Sequence, residues 1–300
     1  MPDLSLELHP ALVGCLACPV CGAPLSVSEN KQSLACAGSV GEKNPRGRVH
    51  LFDGSSDGYV HLAPRHSGGG DSKEAVRARS SFLGNGYYAP AAEALTSLVR
   101  ELTPDGGLVL DAGCGEGYYS GQIAAAGYPT LGVDLSKFAV GAAAKAARAH
   151  RLRSGQASST LFAVGSVFEL PVADASFDTL VNVFAPCAPE EYARVLRPGG
   201  HLIVAGAGER HLLGLKRMVY DDPYLNDPRR DLPDGTGHLR PADLRNVTFS
   251  IRVEGKGFIE ALFSMTPYYW RTARSGHERL AAAEVLETEV SFNLHVYERV

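Results

Sequence analysis

Short apolar runs and amphipathic stretches alternate along most of the chain, at spacings that predict strands and helices in turn. Leu108-Val-Leu-Asp-Ala112 reads as a buried strand, Tyr118 to Ala126 as a helix, Thr130-Leu-Gly-Val-Asp134 as a second strand and Phe138 to His150 as an Ala-rich helix. Strands at about 160–164, 178–184 and 200–205 follow, the last introduced by the turn Arg197-Pro-Gly-Gly200, with further strands near 249–254 and 289–298 and helices between them. Strands alternating with helices predict a doubly wound α/β sheet, a fold that places ligands at the carboxyl ends of its strands. Upstream, Asp71-Ser-Lys-Glu74 opens a helix in the manner of a capping box, running through Arg77 and Arg79 to Leu83, where Gly84-Asn85-Gly86 stops it. Pro90 starts another helix, with Ala94, Leu95, Leu98 and Val99 on one face. The run from Leu62 to Gly70, rich in Gly and turn residues, predicts a flexible link. These breaks divide the chain into 1–62, 63–104 and 105–300, with no internal repeat.

The composition is that of a globular protein, 45% hydrophobic and 21% charged over 300 residues. No apolar run is long enough to span a bilayer, and Met1-Pro2-Asp3-Leu4 lacks the basic start of a signal peptide, so a cytoplasmic protein without a membrane partner is expected. Lys and Arg number 29 against 33 Asp and Glu, a net charge of −4, which argues against a global positive field. Locally, no acid lies between Leu135 and Phe168, while Lys137, Lys145, Arg148, Arg151 and Arg153 do. That stripe suits phosphate contacts and, equally, a solvated helix face.

Charge says less than the cysteines do. Of six, Cys15, Cys18, Cys21 and Cys36 fall within the first 36 positions. Where thiols stay reduced, such clustering argues for metal before disulfides. Cys18-Pro-Val-Cys21-Gly is a knuckle that wraps one side of a tetrahedral ion, and two further ligands must come from Cys36 and from His50, His61 or Cys15. Cys15 and Cys18 offer a competing pair at the same spacing; Cys18, Cys21, Cys36 and His50 are preferred, with Cys15 as a spare. The plain alternative is that these are small buried apolar residues. A segment this short and poor in large apolar residues buries too little surface to fold alone, a deficit that Zn²⁺ would supply from a closed, structural site.

The loop after the first strand reads Asp111-Ala-Gly113-Cys-Gly115-Glu116-Gly117, which is G-x-G-x-G and not the G-x-G-x-x-G of dinucleotide enzymes. A dinucleotide needs a helix N-terminus for its pyrophosphate, whereas S-adenosylmethionine has no phosphate to place. Asp134 ends the second strand, where an acid accepts ribose hydroxyls, with Leu135 next to it; Gly165-Ser166-Val167 would border the adenine. Asn182, at the end of the fourth strand, opens the Asn182...Ala185-Pro186-Cys187 segment at the carboxyl end of the sheet, where ligands bind.

With Leu170-Pro171, Phe177-Asp178 and Leu196-Arg-Pro-Gly-Gly-His201, these motifs resemble the class I methyltransferases. The zinc knuckle, Phe52-Asp53, Gly58-Tyr59-Val60, Gly70-Asp71-Ser72, Ala78-Arg79, Gly86-Tyr87-Tyr88, Gly115-Glu116-Gly117-Tyr118-Tyr119, Ala185-Pro186-Cys187, Arg210-His211-Leu212, Met265-Thr266-Pro267...Trp270 and Phe292-Asn293-Leu294-His295 resemble one family within them. That family is the 23S ribosomal RNA guanine-N-1-methyltransferases, of the RlmA type and including the tylosin-resistance enzyme; the resemblance runs from about Cys18 to the C-terminus. It implies an α/β class I (Rossmann-like) methyltransferase sheet over 105–300 with an N-terminal zinc-finger domain for substrate recognition over 1–62, usually as a homodimer acting on a hairpin-loop guanine near the macrolide tunnel. By matching residues it implies zinc on Cys18, Cys21, Cys36 and His50, and cofactor contacts from Tyr88, Gly115, Glu116 and His211. The expected S-adenosylmethionine site therefore comprises Tyr88, Asp111, Gly113, Gly115, Glu116, Gly117, Asp134, Leu135, Ser166, Val167, Asn182 and His211.

Two features depart from the family pattern. Residues 37–49 separate Cys36 from His50 where relatives have only a few, bringing in Lys43, Arg46 and Arg48, and Glu209 precedes Arg210-His211 where proline is common. No residue stands out as the base for the guanine N-1 proton. A rival reading keeps the same cofactor chemistry on a small molecule or peptide, with the zinc module retained as a structural remnant.

Overall fold

The structure, a computed structural model, describes residues 9–29, 32–38, 40–63, 69–155, 159–228 and 237–300. The link expected at 62–70 therefore falls largely outside the described residues, at 64–68. The elements run α1 (Pro10–Gly14), β1 (Leu25–Val27), β2 (Ser33–Cys36), β3 (Leu51–Asp53), β4 (Val60–His61), α2 (Lys73–Gly84), α3 (Ala89–Leu102), β5 (Val109–Ala112), α4 (Tyr118–Ala125), β6 (Thr130–Asp134) and α5 (Lys137–Ser154). They continue with β7 (Thr160–Val164), β8 (Phe177–Val183), α6 (Pro189–Val195), β9 (Leu196–Ala207), α7 (Leu213–Val219), β10 (Leu239–Glu254), α8 (Lys256–Ser264), α9 (Arg274–Ala282) and β11 (Val285–Arg299). None of the described helices is long and apolar enough to cross a membrane.

The main sheet has the order β10-β11-β9-β8-β5-β6-β7-β4. Its strands from β9 to β4 are parallel, and the β10–β11 hairpin joins antiparallel to β9. Strand order reverses between β5 and β8, which opens a crevice at their carboxyl ends. All four positions of β5 are buried, as befits a parallel strand covered on both faces, and this is why Leu108 to Ala112 reads as apolar apart from Asp111.

Four differences from the expected pattern have physical causes. The helix at 71 starts later, because Ser72 is the N-cap and its Oγ accepts from the Ala75 amide at 3.2 Å. β9 begins at Leu196, which pairs with Phe177, and the expected turn persists within it as a bulge: four residues, Arg197 to Gly200, stand opposite the single residue Asp178 before Thr179 pairs with His201, and the Asp178 carboxylate accepts from the Leu108 amide at 2.8 Å. The final hairpin is far longer than its apolar segments suggest, since Arg240 to Asn246 of β10 are exposed and lack alternation yet pair with β11 on both sides of an irregularity between Pro241 and Asp243. Finally, described residues of the N-terminal segment pack against the large domain. Leu12, Leu16, Leu25 and Leu34 are buried in one cluster with Leu110, Leu131, Leu161 and Val172 of the large domain. Backbone hydrogen bonds from Ala17 to Pro171 (2.9 Å) and from Ala173 to Cys15 (2.8 Å) stitch that seam, and β4 extends the main sheet beside β7.

Candidate active site

The loop between β5 and α4 lies at the crevice. Gly113, Gly115 and Gly117 all take positive φ, +84°, +54° and +77°. A Cβ on Gly113 would collide with the Cβ of Ala185 at the end of β8, so the loop and the neighbouring strand touch backbone to side chain with no room between them. Gly117 similarly fits under Ala143 and Phe162. The amides of Gly113 and Cys114 both donate to the Val133 carbonyl, at 2.8 and 3.1 Å, tying the loop to β6.

Acids surround this loop. Asp111 is buried and accepts from Ser120 Oγ at 2.5 Å; burial pushes its carboxyl up to about 7 despite that bond. Asp134 accepts from the Ser136 amide on Oδ1 at 2.7 Å and from the Gly115 amide on Oδ2 at 3.0 Å. A carboxylate has about four lone-pair sites, so two acceptor positions remain for a pair of ribose hydroxyls. Glu116 is held by Arg79 of α2, Nε to Oε2 at 2.6 Å, and the same guanidinium bonds Asp71 through Nη2. Spacing does not place Arg79 and Asp71 in the site, although both lie in the Gly70-Asp71-Ser72 and Ala78-Arg79 motifs; a charge that reaches across 37 positions leaves no periodic signal. Gly165 donates to the Asp134 carbonyl at 3.0 Å, which sets Ser166 and Val167 beside the end of β6, and Leu135 follows Asp134 directly. Glycines without side chains, an acid at the end of β6 and an enclosed acidic floor fit the amino acid, ribose and adenine of S-adenosylmethionine.

The remaining expected residues gather on the β8 side. Asn182 is buried, and its Nδ2 donates to Tyr192 Oη (2.8 Å), the Pro186 carbonyl (3.1 Å) and the Ala112 carbonyl (3.3 Å), bracing the end of β8 against β5. Tyr88 and His211 stand 6.2 Å apart within an aromatic group that includes Phe184 and Phe292. Burial, and secondarily the charge of Lys216, holds the His211 ring down to about 3, and its Nδ1 accepts from the Ser291 amide at 3.2 Å. The neutral ring thus carries its proton on Nε2 and presents a donor, not a base.

In the N-terminal segment, Cys18, Cys21, Cys36 and His50 bring one donor atom each within 4.8 Å of one another. Cys21 Sγ to Cys36 Sγ is 3.9 Å, and His50 Nδ1 lies 3.5 and 3.4 Å from Cys18 Sγ and Cys36 Sγ. Tetrahedral bonds of ~2.3 Å to sulfur and ~2.0–2.1 Å to nitrogen imply edges of about 3.6–3.8 Å, so the four fit a zinc ion. Burial opposes the Cys36 thiolate, but donation from the His50 and Gly38 amides outweighs it and brings the thiol down to about 7. Cys15 faces elsewhere, donating to Ala11 O at 3.2 Å. The long insertion ahead of His50 is ordered by Asn44, whose side chain bonds both the amide and the carbonyl of Arg48 at 3.0 and 2.9 Å, leaving Lys43, Arg46 and Arg48 at the surface. The α5 stripe divides: Lys145 pairs with Asp57 at 3.2 Å and Arg148 bonds the Ser56 carbonyl at 3.3 Å, so these two hold the N-terminal module rather than await phosphate.

The family described as Methyltransferase domain matches residues 110–204, the segment from β5 into β9. A protein of Micromonospora griseorubida named as a 23S rRNA (guanine-N(1)-)-methyltransferase is 35% identical over 294 residues, covering 88% of this chain and 90% of its own. The 23S rRNA (guanine(748)-N(1))-methyltransferase of Streptomyces fradiae is 36% identical over 215 residues, 68% of this chain and 69% of its own. A Bacillus subtilis protein of the same description as the first is 28% identical over 272 residues, 84% and 86% of the two chains. The chain has the class I methyltransferase fold, uses S-adenosylmethionine as methyl donor, and belongs to the 23S rRNA (guanine-N(1)-)-methyltransferase family.

Proposed function

We propose that this enzyme methylates N-1 of an unpaired, hairpin-loop guanine in 23S ribosomal RNA near the macrolide tunnel, a modification linked to macrolide resistance. The carrying observation is that similarity to the relative from Micromonospora griseorubida extends over 88% of the chain, too far to be explained by the shared catalytic domain at 110–204 alone. In this reading residues 1–62 recognise the RNA, with Zn²⁺ on Cys18, Cys21, Cys36 and His50 as a structural tie that has no part in the chemistry. Two copies associate, and the enzyme works in the cytoplasm on assembling or mature ribosomes.

When bound, S-adenosylmethionine supplies a methyl group already activated on a sulfonium. Asp134 accepts the ribose hydroxyls, the Gly113–Gly117 loop admits the amino-acid end, and Arg79 steadies Glu116 beside it. Ser166, Val167 and Leu135 border the adenine, while Asn182 keeps the β8 end fixed against the loop. Most of the protein's work is alignment, which is worth ~7–11 kcal/mol for well-oriented reactants. His211, with its proton on Nε2, donates to an acceptor on the incoming base or cofactor instead of abstracting the guanine proton.

The test is primer extension on ribosomal RNA from strains with and without the gene, since N-1-methylguanine blocks the pairing edge and stops reverse transcriptase. A new stop at one guanine is expected; no change at any guanine overturns the RNA reading and favours the rival small-molecule or peptide substrate.

A further inference from the structure

We infer that Phe184 is the platform on which the extruded target base stacks, an inference that rests on the RNA reading above. Phe184 is the first residue beyond β8 and takes φ +52°, a left-handed conformation rare for an aromatic residue. The turn is held from three sides. The Phe184 amide donates to the Ala205 carbonyl of β9 at 3.0 Å, the following residue abuts Gly113, and Asn182 Nδ2 grips the Pro186 carbonyl at 3.1 Å. Strained conformations that the surroundings over-determine cluster at functional sites.

The result of that strain is an aromatic ring held out at the crevice. Phe184 is 49% exposed, whereas its aromatic neighbours Phe292 and Tyr88 are buried. Phe292 backs the ring at 4.9 Å with a 46° tilt and His211 at 5.4 Å with a 35° tilt. Leu212, next to His211, is likewise left-handed at φ +56°, its amide fixed by the Glu289 carbonyl at 2.8 Å, so the backing wall is as firmly held as the ring. The residue after Phe184, Ala185, packs on Gly113 of the cofactor loop, so the turn that carries the ring borders the place where a base must lie to meet the methyl group. Enzymes that modify a base take it out of its stack and hold it between aromatic or apolar side chains. A phenyl ring stacks with any base, so Phe184 contributes to holding the guanine and not to choosing it.

The test uses the full-length protein and two variants. Phe184→Gly removes the ring and suits the left-handed backbone; Phe184→Tyr keeps a stacking face. Methyl transfer to ribosomal RNA from a strain lacking the gene, and binding of S-adenosylhomocysteine, are measured for each. Phe184→Gly should lower kcat/KM for RNA by about 5- to 150-fold, the effect of removing one base stack, with S-adenosylhomocysteine affinity unchanged, and Phe184→Tyr should restore most of the activity. Wild-type transfer by Phe184→Gly, or a parallel loss of S-adenosylhomocysteine binding, overturns the stacking role while leaving the RNA reading intact. A wild-type enzyme that binds S-adenosylhomocysteine but methylates no RNA overturns both.

Discussion

At position 113 the backbone is left-handed and any Cβ would run into Ala185, so Gly113→Ala meets strain and overlap together. We expect a loss of about 2–5 kcal/mol of stability and weakened S-adenosylhomocysteine binding, read by chemical unfolding and calorimetry. The cysteines allow a cleaner contrast: Cys18→Ser should lose one equivalent of zinc by metal analysis, whereas Cys15→Ser, whose thiol bonds Ala11 O, should keep it. Unchanged zinc in Cys18→Ser would move the site elsewhere. His211 and Asp111 set opposite pH slopes. The buried ring titrates near 3 in the native state against an ordinary 6.5, so the unfolded chain takes up a proton first; the contribution is complete above 6.5 and is lost as pH falls toward 3. Asp111, raised from 3.8 to about 7, keeps its proton when native, and its contribution is complete below 3.8 and lost as pH rises toward 7. Between about pH 4.5 and 6 the two offset one another. Removing the ring in His211→Gln should therefore tilt unfolding free energy downward with rising pH by about 1.4 kcal/mol per unit relative to wild type. An unchanged slope in urea titrations across that window would contradict the neutral, buried ring.

Among elements, α2 connects stability to the cofactor loop, because its Ser72 cap fixes the helix that delivers Arg79 to Glu116. Ser72→Ala should cost ~1 kcal/mol and loosen the first turn in amide exchange. Arg79→Ala leaves the largely buried Glu116 carboxylate without its guanidinium, and should raise the KM for S-adenosylmethionine more than it changes affinity for RNA. Equal KM values in wild type and variant would show that this pair only braces the fold. Such an arm illustrates what periodicity conveys. The parallel strands β5 to β8 are legible because burial on both faces writes mostly apolar runs, and the cofactor loop because tight approach demands glycine at fixed intervals. Arg79, the Asn182 brace and the seam between Leu16 and Val172 depend on contacts between distant segments. Local pattern carries no mark of these. The outer half of β10 is illegible for another reason: its exposed residues face water on both sides, so alternation, the usual sign of a strand, is missing.

For the whole molecule, net charge of −4 conceals a positive projection formed by Lys43, Arg46 and Arg48 on the Asn44-braced insertion. If these meet phosphate, activity on RNA falls steeply with salt, and replacing all three by alanine flattens the log–log slope by about 0.7–0.9 for each phosphate no longer neutralised. Salt-insensitive binding by wild type would place the RNA on another face. The main sheet also has two ends of opposite character. At one, β4 is two residues long; at the other, β10 is long but interrupted at Pro241 and lined with charges, including Arg240, Arg245, Arg252 and Glu254 in ion pairs. Neither end offers a flat, apolar ladder for a further strand, and short or charged borders with proline are how sheets avoid being continued by another chain. Self-association by sheet extension is thus disfavoured at both borders, which keeps a long hairpin from seeding fibrous aggregates.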